Sequence, residues 1–438
     1  LRLDGETPSD PANPAGSRGQ IVVLDAARAG EAEGIVRYSY DGTELSVSSA
    51  ELVVPQITTR DIDRGEHKHF LSKEIAEAPQ SFRKTLRGKI AEREGRLVAS
   101  LDDSVLPKSI REKLAKRGYA RIRVIGQGTA AIAGRSLAQL LRTLVDHSVQ
   151  VDALPATELS GFQLDLDMSD TLVVAISQSG TTTDTNRTVD LARTRGAAVL
   201  AIVNRRGSEL AAKADGVLYT SDGRDVEMSV ASTKAFYSQV AAGALYACAL
   251  SDAMGTGSND ERHQLLAALR TIPDAMQTVL GSRRAIADAA REFAPARRYW
   301  TVVGNGFNAV AAEEVRIKLS ELCYKSIACD ITEDMKHIDL SCEPMIIVCA
   351  TGLNDGTASD VAKEIAIYRA HKALPIVIAT EGEQRFDAAA AVISVPNVDH
   401  RVAFILSVMV GHLFGYEAAL AIDSLARPLR AAREVIEH

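Results

Sequence analysis

Residues Val173–Thr185, VVAISQSGTTTDT, decide how this chain is read. Four apolar residues lead directly into hydroxyls, one amide and one glycine. Beyond Asp184, Val189, Leu191 and Ala192 fall near a 3.6-residue spacing, so the stretch reads as buried strand, tight loop and helix start. The first turn of such a helix has N–H groups without intrahelical partners and carries the positive end of the dipole. Ser177, Ser179, Thr181, Thr182 and Thr183 surround those groups with hydroxyls, and Gly180 permits positive φ or close backbone approach. Two readings follow: a phosphate cradle that contains no cation, or a Ser/Thr-rich helix cap. The preceding strand and a repeat downstream favour the cradle.

Outward from this stretch the pattern repeats. Arg121–Ile125 is a strand followed by GQGTAAIAG at 126–134; strands follow around Val149–Leu154, Leu172–Ile176, Ala198–Val203 and Gly216–Thr220. Apolar runs without strict alternation, separated by helices, imply a parallel sheet covered on both faces. The layout returns at Tyr299–Val303 with GNGFNAVAA at 304–312, then at Pro344–Ala350, Leu374–Ala379 and Ala391–Val395. A long apolar helix follows each unit, at Ala231–Leu250 and Arg401–Ala421. In the second unit Ala350–Thr351–Gly352 stands where Ser177–Gln178–Ser179–Gly180 stood, so one unit is expected to bind phosphate and its twin to do something else.

The chain has 438 residues, 46% hydrophobic and 24% charged, with a net charge of −7. That size suggests two or three domains, and the acidic balance gives no reason to expect nucleic acid or an anionic membrane as partner. No apolar run is expected to span a membrane. Five cysteines in apolar runs suit core thiols in a reducing cytoplasm rather than a zinc site. The sequence opens on Leu1 with no signal-peptide pattern, which reads as a fragment, a processed product or a chain whose start is missing. Residues 1–20 read as a flexible lead-in. Ile21–Leu24, Ile35–Tyr40 and Glu44–Val54 form a β-ribbon with a turn at Asp41–Gly42, and His67–Arg87 is an amphipathic helix interrupted by Pro79. His67 and His69 read as exposed or capping side chains. GxGxxA occurs at Gly126 and Gly304, but a dinucleotide site would leave the Ser177 loop unexplained, and GxxxxGK[ST] is absent.

A second dense stretch is Lys318–His337, KLSELCYKSIACDITEDMKH. Lys318 and Glu321 are three apart and share a helix face. With His337 they could shuttle a proton beside a carbonyl; the plain alternative is a solvated face with a salt bridge. At VASTKAF, Val230–Phe236, Ser232 and Thr233 either cap the following helix or touch a sugar hydroxyl.

Taken together, SQSG-x-T-x-DT, VASTKAF, the HFxxKEIxExP helix at His69–Pro79 and K-L-x-E with a following KH resemble the isomerase half of the glucosamine-6-phosphate synthase family, from about Lys68 to near the C-terminus. The resemblance implies an α/β fold of two tandem flavodoxin-like SIS (sugar isomerase) domains, each a three-layer α/β/α unit with a parallel sheet. It implies a linker and β-ribbon over residues 1–66 like the tail of a glutaminase domain, a first SIS domain over 67–262, a second over 263–425 and a tail over 426–438. It implies a homodimer with shared active sites and a sugar phosphate as ligand, with no metal or redox cofactor. Ser177, Gln178, Ser179 and Thr182 then hold the 6-phosphate, with Thr129, Val230 and Ser232 also at the substrate. Glu321 is the base that moves a proton between C1 and C2, Lys318 stands beside it, and His337 opens the sugar ring from the partner subunit.

The chain departs from the family's pattern at several positions. The family's GTS is Gly128–Thr129–Ala130, the Glu after SQSG is Thr181, the second lysine of KLKE is Ser320, and KHGP is Lys336–His337–Ile338–Asp339. The tail position of the Schiff-base lysine is Arg433, which stays protonated and is no nucleophile. An N-terminal glutaminase cysteine is missing, so a glutaminase domain or subunit is the expected ammonia source. The expected function is a ketose 6-phosphate aminotransferring isomerase acting on a substrate such as fructose 6-phosphate. The alternatives are a phosphosugar sensor without turnover and an aminosugar-phosphate deaminase or isomerase.

Overall fold

The structure, a computed structural model, describes residues 20–39, 41–47 and 62–437; the side chains of 20, 337–339 and 424–437 lie outside the described residues. The ribbon comprises Gln20–Leu24, Ile35–Ser39 and Glu44–Leu45, paired antiparallel. The strand expected to run on to Val54 passes into residues 48–61, outside the described set.

Helix α1, Phe70–Leu86, continues through Pro79, where the sequence suggests an interruption. A mid-helix proline costs about 3 kcal/mol. Leu71, Ile75, Ala78, Phe82 and Leu86 are all buried in the core on this helix, and their burial, at roughly 1.5–3 kcal/mol for each large side chain, outweighs the lost bond. A hairpin, Ile90–Arg93 with Arg96–Ala99, follows.

The first sheet is built from β1 (Arg121–Gly126), β2 (Gln150–Pro155), β3 (Thr171–Ser177), β4 (Ala198–Val203) and β5 (Gly216–Tyr219), all parallel, in the order β5-β4-β3-β1-β2. Helix α2 (Thr129–Leu144) follows β1, α3 (Thr183–Arg193) follows β3, and α4 (Lys234–Met254) closes the unit. After α5 (Asn259–Gly281), whose start carries a Ser258–Glu261 capping box, the layout repeats. The second sheet contains β6 (Trp300–Gly304), β7 (Ala328–Asp330), β8 (Met345–Ala350), β9 (Leu374–Thr380) and β10 (Ala391–Val395), in the order β7-β6-β8-β9-β10. Helix α6 (Phe307–Cys323) follows β6, α7 (Asp355–Ala370) follows β8, and α8 (Phe404–Glu437) ends the unit. Both sheets have the flavodoxin-like order, in which ligands sit where the strand order reverses, between the first and third strands.

All seven residues of β3 are buried, as expected of a strand covered on both faces. One core cluster runs from the first sheet through α2, α4, α6 and α8 to the second sheet, so the two units share an interior. Residues Phe404–Asp423 of α8 are long and apolar enough to cross a membrane, which corrects the expectation that no such run exists; 83% of the most apolar window is buried within this chain. That apolarity is satisfied by α6 and the core rather than by lipid.

Candidate functional site

A cleft of about 300 Å³ opens at the C-terminal ends of β1 and β3, the reversal point of the first sheet. Gln127, Thr129, Ser177, Gln178, Ser179 and Thr182 line it from the first unit, Val230, Ser232 and Gln239 from the entry and early turns of α4, and Lys318 and Glu321 from α6 of the second unit. The structure thus brings Thr129, Ser177, Gln178, Ser179, Thr182, Val230, Ser232, Lys318 and Glu321 into one cavity. The side chain of His337 lies outside the described residues.

The loop after β3 is held by its own hydroxyls. Gly180 N–H donates to Ser177 Oγ at 3.0 Å, the Ser177 and Thr182 hydroxyls are 3.0 Å apart, and Thr181 N–H donates to Ser179 Oγ at 3.2 Å. Asn186 Nδ2 donates to the carbonyls of Gly180 and Thr182 at 3.2 and 3.1 Å. Gly180 has φ 67°, and a Cβ there would lie 2.1 Å from Ser208 Oγ, so only glycine fits. Thr182 is the N-cap residue of α3, yet no side chain caps that end by a hydrogen bond. The leading turn therefore keeps unpaired N–H groups and a positive dipole end beside the cleft, with Lys318 the single cation in the lining among the described residues. This geometry favours an anion site over a capped helix.

The corresponding loop of the second unit is closed. Asn354 caps α7 by accepting from Thr357 N–H at 3.0 Å. Thr351 is buried and bonded to Asn308 and Ser407, and Gly352 N–H donates to Thr380 Oγ1 at 2.9 Å. A Cβ on Gly352 would lie 2.8 Å from Ala403 Cβ, so this position, like Gly180, admits only glycine.

Three carboxylates that sequence patterns do not assign to the site position it. Glu227 accepts from Ser232 Oγ at 2.7 Å, Thr233 N–H at 2.7 Å and Ala235 N–H at 3.1 Å, and so it is Glu227 that caps α4. Burial raises its carboxyl above the ordinary range, opposed by those three donors. Glu74 of α1 accepts from Met228 and Ser229 N–H at 2.5 and 3.2 Å, and Glu77 takes Lys234 Nζ at 2.7 Å. The KEIxE pattern of α1 therefore clamps the loop that presents Val230 and Ser232. Gln239 also escapes a reading by sequence, because it sits inside a nearly all-apolar helix; it is 2% exposed, and its Oε1 has no hydrogen bond among the described residues.

On α6, Lys318 Nζ lies 2.9 Å from Glu321 Oε2 and 3.7 Å from Glu314 Oε1. Lys318 and Glu314 are 1% and 0% exposed, whereas Glu321 is 44% exposed. The solvated-face alternative therefore fails for the lysine, which is buried, while the Glu321 carboxylate remains free to meet a ligand. A carboxylate fixed by a buried ammonium, across a cleft from an anion cradle, can move protons on a small phosphorylated molecule.

Residues 113–249 match the SIS domain family. A glutamine–fructose-6-phosphate aminotransferase (isomerizing) of Thermus thermophilus is 32% identical over 413 residues, 92% of this chain and 65% of that protein, so the chain spans just under two thirds of the relative's length. Among solved structures, the C-terminal domain of glucosamine–fructose-6-phosphate aminotransferase from Francisella tularensis superposes with TM-score 0.73 at 21% identity, covering 82% of this chain and 98% of that one. Tagatose-6-phosphate ketose/aldose isomerase from Escherichia coli gives TM-score 0.64 at 19% identity, covering 81% and 93%. Both likenesses bear on fold, and both agree with the two parallel sheets described above. The chain is accordingly similar in sequence to the isomerizing glutamine–fructose-6-phosphate aminotransferases over just under two thirds of their length, and it is built from two tandem flavodoxin-like SIS domains.

Proposed function

We propose that this chain is the sugar-phosphate half of an aminotransferring isomerase acting on a ketose 6-phosphate such as fructose 6-phosphate. The observation that carries the reading is the meeting, in one cleft, of an uncapped hydroxyl-rich helix start and the Lys318–Glu321 pair. Ser177, Gln178, Ser179 and Thr182 take the phosphate; Thr129, Val230 and Ser232 lie along the sugar. Ammonia adds to the C2 carbonyl and water leaves; Glu321 then takes a proton from C1 and returns it to C2, giving the aminosugar phosphate. Lys318 holds Glu321 in place. By resemblance, His337 of a partner subunit opens the ring, and ammonia comes from a glutaminase domain or subunit. The division into a linker, two SIS domains near 67–262 and 263–425 and a tail belongs to the same proposal.

The test is ammonia-dependent formation of hexosamine phosphate from fructose 6-phosphate. Glu321→Gln is expected to lower kcat at least 100-fold with KM nearly unchanged. Equal rates in wild type and variant would reject the isomerase assignment. Ala130 in the cleft lining and Arg433 in the tail favour a second reading, a sensor that binds without turnover. Calorimetric binding of fructose 6-phosphate with no product, and no loss of binding in Glu321→Gln, would select it.

A further inference from the structure

Behind the cleft lies a buried polar chain that the proposed chemistry does not use. His412 of α8, Tyr237 of α4 and Glu314 of α6 are all 0% exposed. The Tyr237 hydroxyl is 2.8 Å from His412 Nδ1, and His412 Nε2 is 3.4 Å from Glu314 Oε1. The same Oε1 accepts from Thr129 Oγ1 at 3.3 Å and lies 3.7 Å from Lys318 Nζ. The rings of Phe236 and Tyr237 stand edge-on around the imidazole, at centroid distances of 6.5 and 5.4 Å. Neither His412 Nε2 nor Glu314 Oε2 has a hydrogen bond among the described residues. Buried polar atoms left short of partners each cost about 1–3 kcal/mol, so two of them on neighbouring side chains call for a reason.

The titratable and charged groups that face His412 are Tyr237 from α4 and Glu314, Lys318 and Glu321 from α6. Burial, with a smaller contribution from Lys318, lowers the imidazole below its ordinary value against the pull of Glu314 and Glu321. Burial also holds Tyr237 protonated. A neutral imidazole beside the Glu314 carboxylate must turn an N–H toward it, since a lone pair would be repelled. Nε2 therefore bears the proton, and Nδ1 accepts from the Tyr237 hydroxyl.

We propose that His412, oriented by Tyr237, is a positioning residue for Glu321: it fixes the Glu314 carboxylate, which fixes the Lys318 ammonium beside the base. The inference rests on the reading of Glu321 as the proton-transfer group. Without the imidazole N–H 3.4 Å from Glu314 Oε1, the Glu314 carboxylate loses a polar neighbour and its hold on Lys318 Nζ, 3.7 Å away, weakens. Loss of a fixed cation beside Glu321 disfavours its ionised form.

The experiment follows the side-chain carboxyl of Glu321 by 13C NMR in the full chain labelled at glutamate, the resonance being assigned by its loss in Glu321→Gln. In His412→Leu the midpoint is expected to rise by about one pH unit or more. His412→Gln, which restores an N–H donor, is expected to bring it back, and Tyr237→Phe to raise it by a smaller step. The acid limb of kcat should move by the same amount with KM for fructose 6-phosphate unchanged. An unmoved midpoint in both His412→Leu and Tyr237→Phe overturns the inference, as does a uniform loss of rate at every pH; should His412→Leu fail to fold, Tyr237→Phe and His412→Gln decide. Full activity in Glu321→Gln would instead bring down the proposed function, a result distinct from an unmoved midpoint.

Discussion

Gly180 shows how narrowly the cradle is specified at the level of one residue. With φ at 67° and only 2.1 Å between the place a Cβ would take and Ser208 Oγ, the backbone leaves no room for alanine. Gly180→Ala is expected to cost roughly 3 kcal/mol of stability, combining left-handed strain with overpacking, and to weaken phosphate binding; urea unfolding and calorimetry check both. Glu227 makes a different prediction. Its raised carboxyl means that the folded state holds a proton that the unfolded chain has released, so its contribution to stability falls as pH rises from 4.5 to the raised value. In Glu227→Gln that pH-dependent loss should disappear, as followed by unfolding midpoints across the acid-to-neutral range. The cradle residues are legible in sequence because strand, hydroxyls and glycine are contiguous. Glu227 and Gln239 are not: the first caps a helix that begins seven residues later, and the second is an isolated amide among alanines and aromatics.

At the scale of elements, α6 carries the Lys318–Glu321 pair, and α8 sets where α6 lies. Gly411 and Gly415 of α8 face α6: a Cβ on Gly411 would be 2.2 Å from Val315 Cγ2, and one on Gly415 would be 3.2 Å from Leu319 Cδ2. Gly411→Ala should therefore destabilise by about 2–3 kcal/mol and Gly415→Ala by clearly less, an order that denaturant titration of the two variants checks. The main strands of both sheets can be read from their apolar runs, since strands covered on both faces show no alternation. Strand β7 leaves little trace in the sequence, because its three partly exposed edge residues carry little pattern. The unbroken course of α1 through Pro79 is hidden as well. It depends on tertiary burial, which outweighs a local rule about proline.

Across the whole molecule, the cleft is a joint product of the two units: the hydroxyl-rich loop proposed to take phosphate comes from the first, and the Lys318–Glu321 pair proposed for proton transfer from the second. The ion pair Arg135–Glu313 and the Thr129–Glu314 hydrogen bond tie α2 to α6 across that junction. A ligand that touches both units stabilises both. Fructose 6-phosphate at 100 times its Kd should add about 2.7 kcal/mol and raise Tm, and Ser177→Ala combined with Thr182→Val should remove that gain without lowering the unliganded Tm by more than a few degrees. Sequence shows the tandem layout, because each unit repeats the same strand and glycine order. The pairing of a loop near residue 180 with a helix near residue 320 depends on how α2, α4, α6 and α8 share one core, which no local pattern records.

The filled loop of the second unit has a consequence for stoichiometry. With Asn308, Thr351 and Ser407 joined in place of a guest and Asn354 already on the helix end, internal symmetry of fold does not extend to symmetry of occupancy. A titration with sugar phosphate should saturate at one equivalent per polypeptide, with a single-class isotherm, although the architecture was laid down twice.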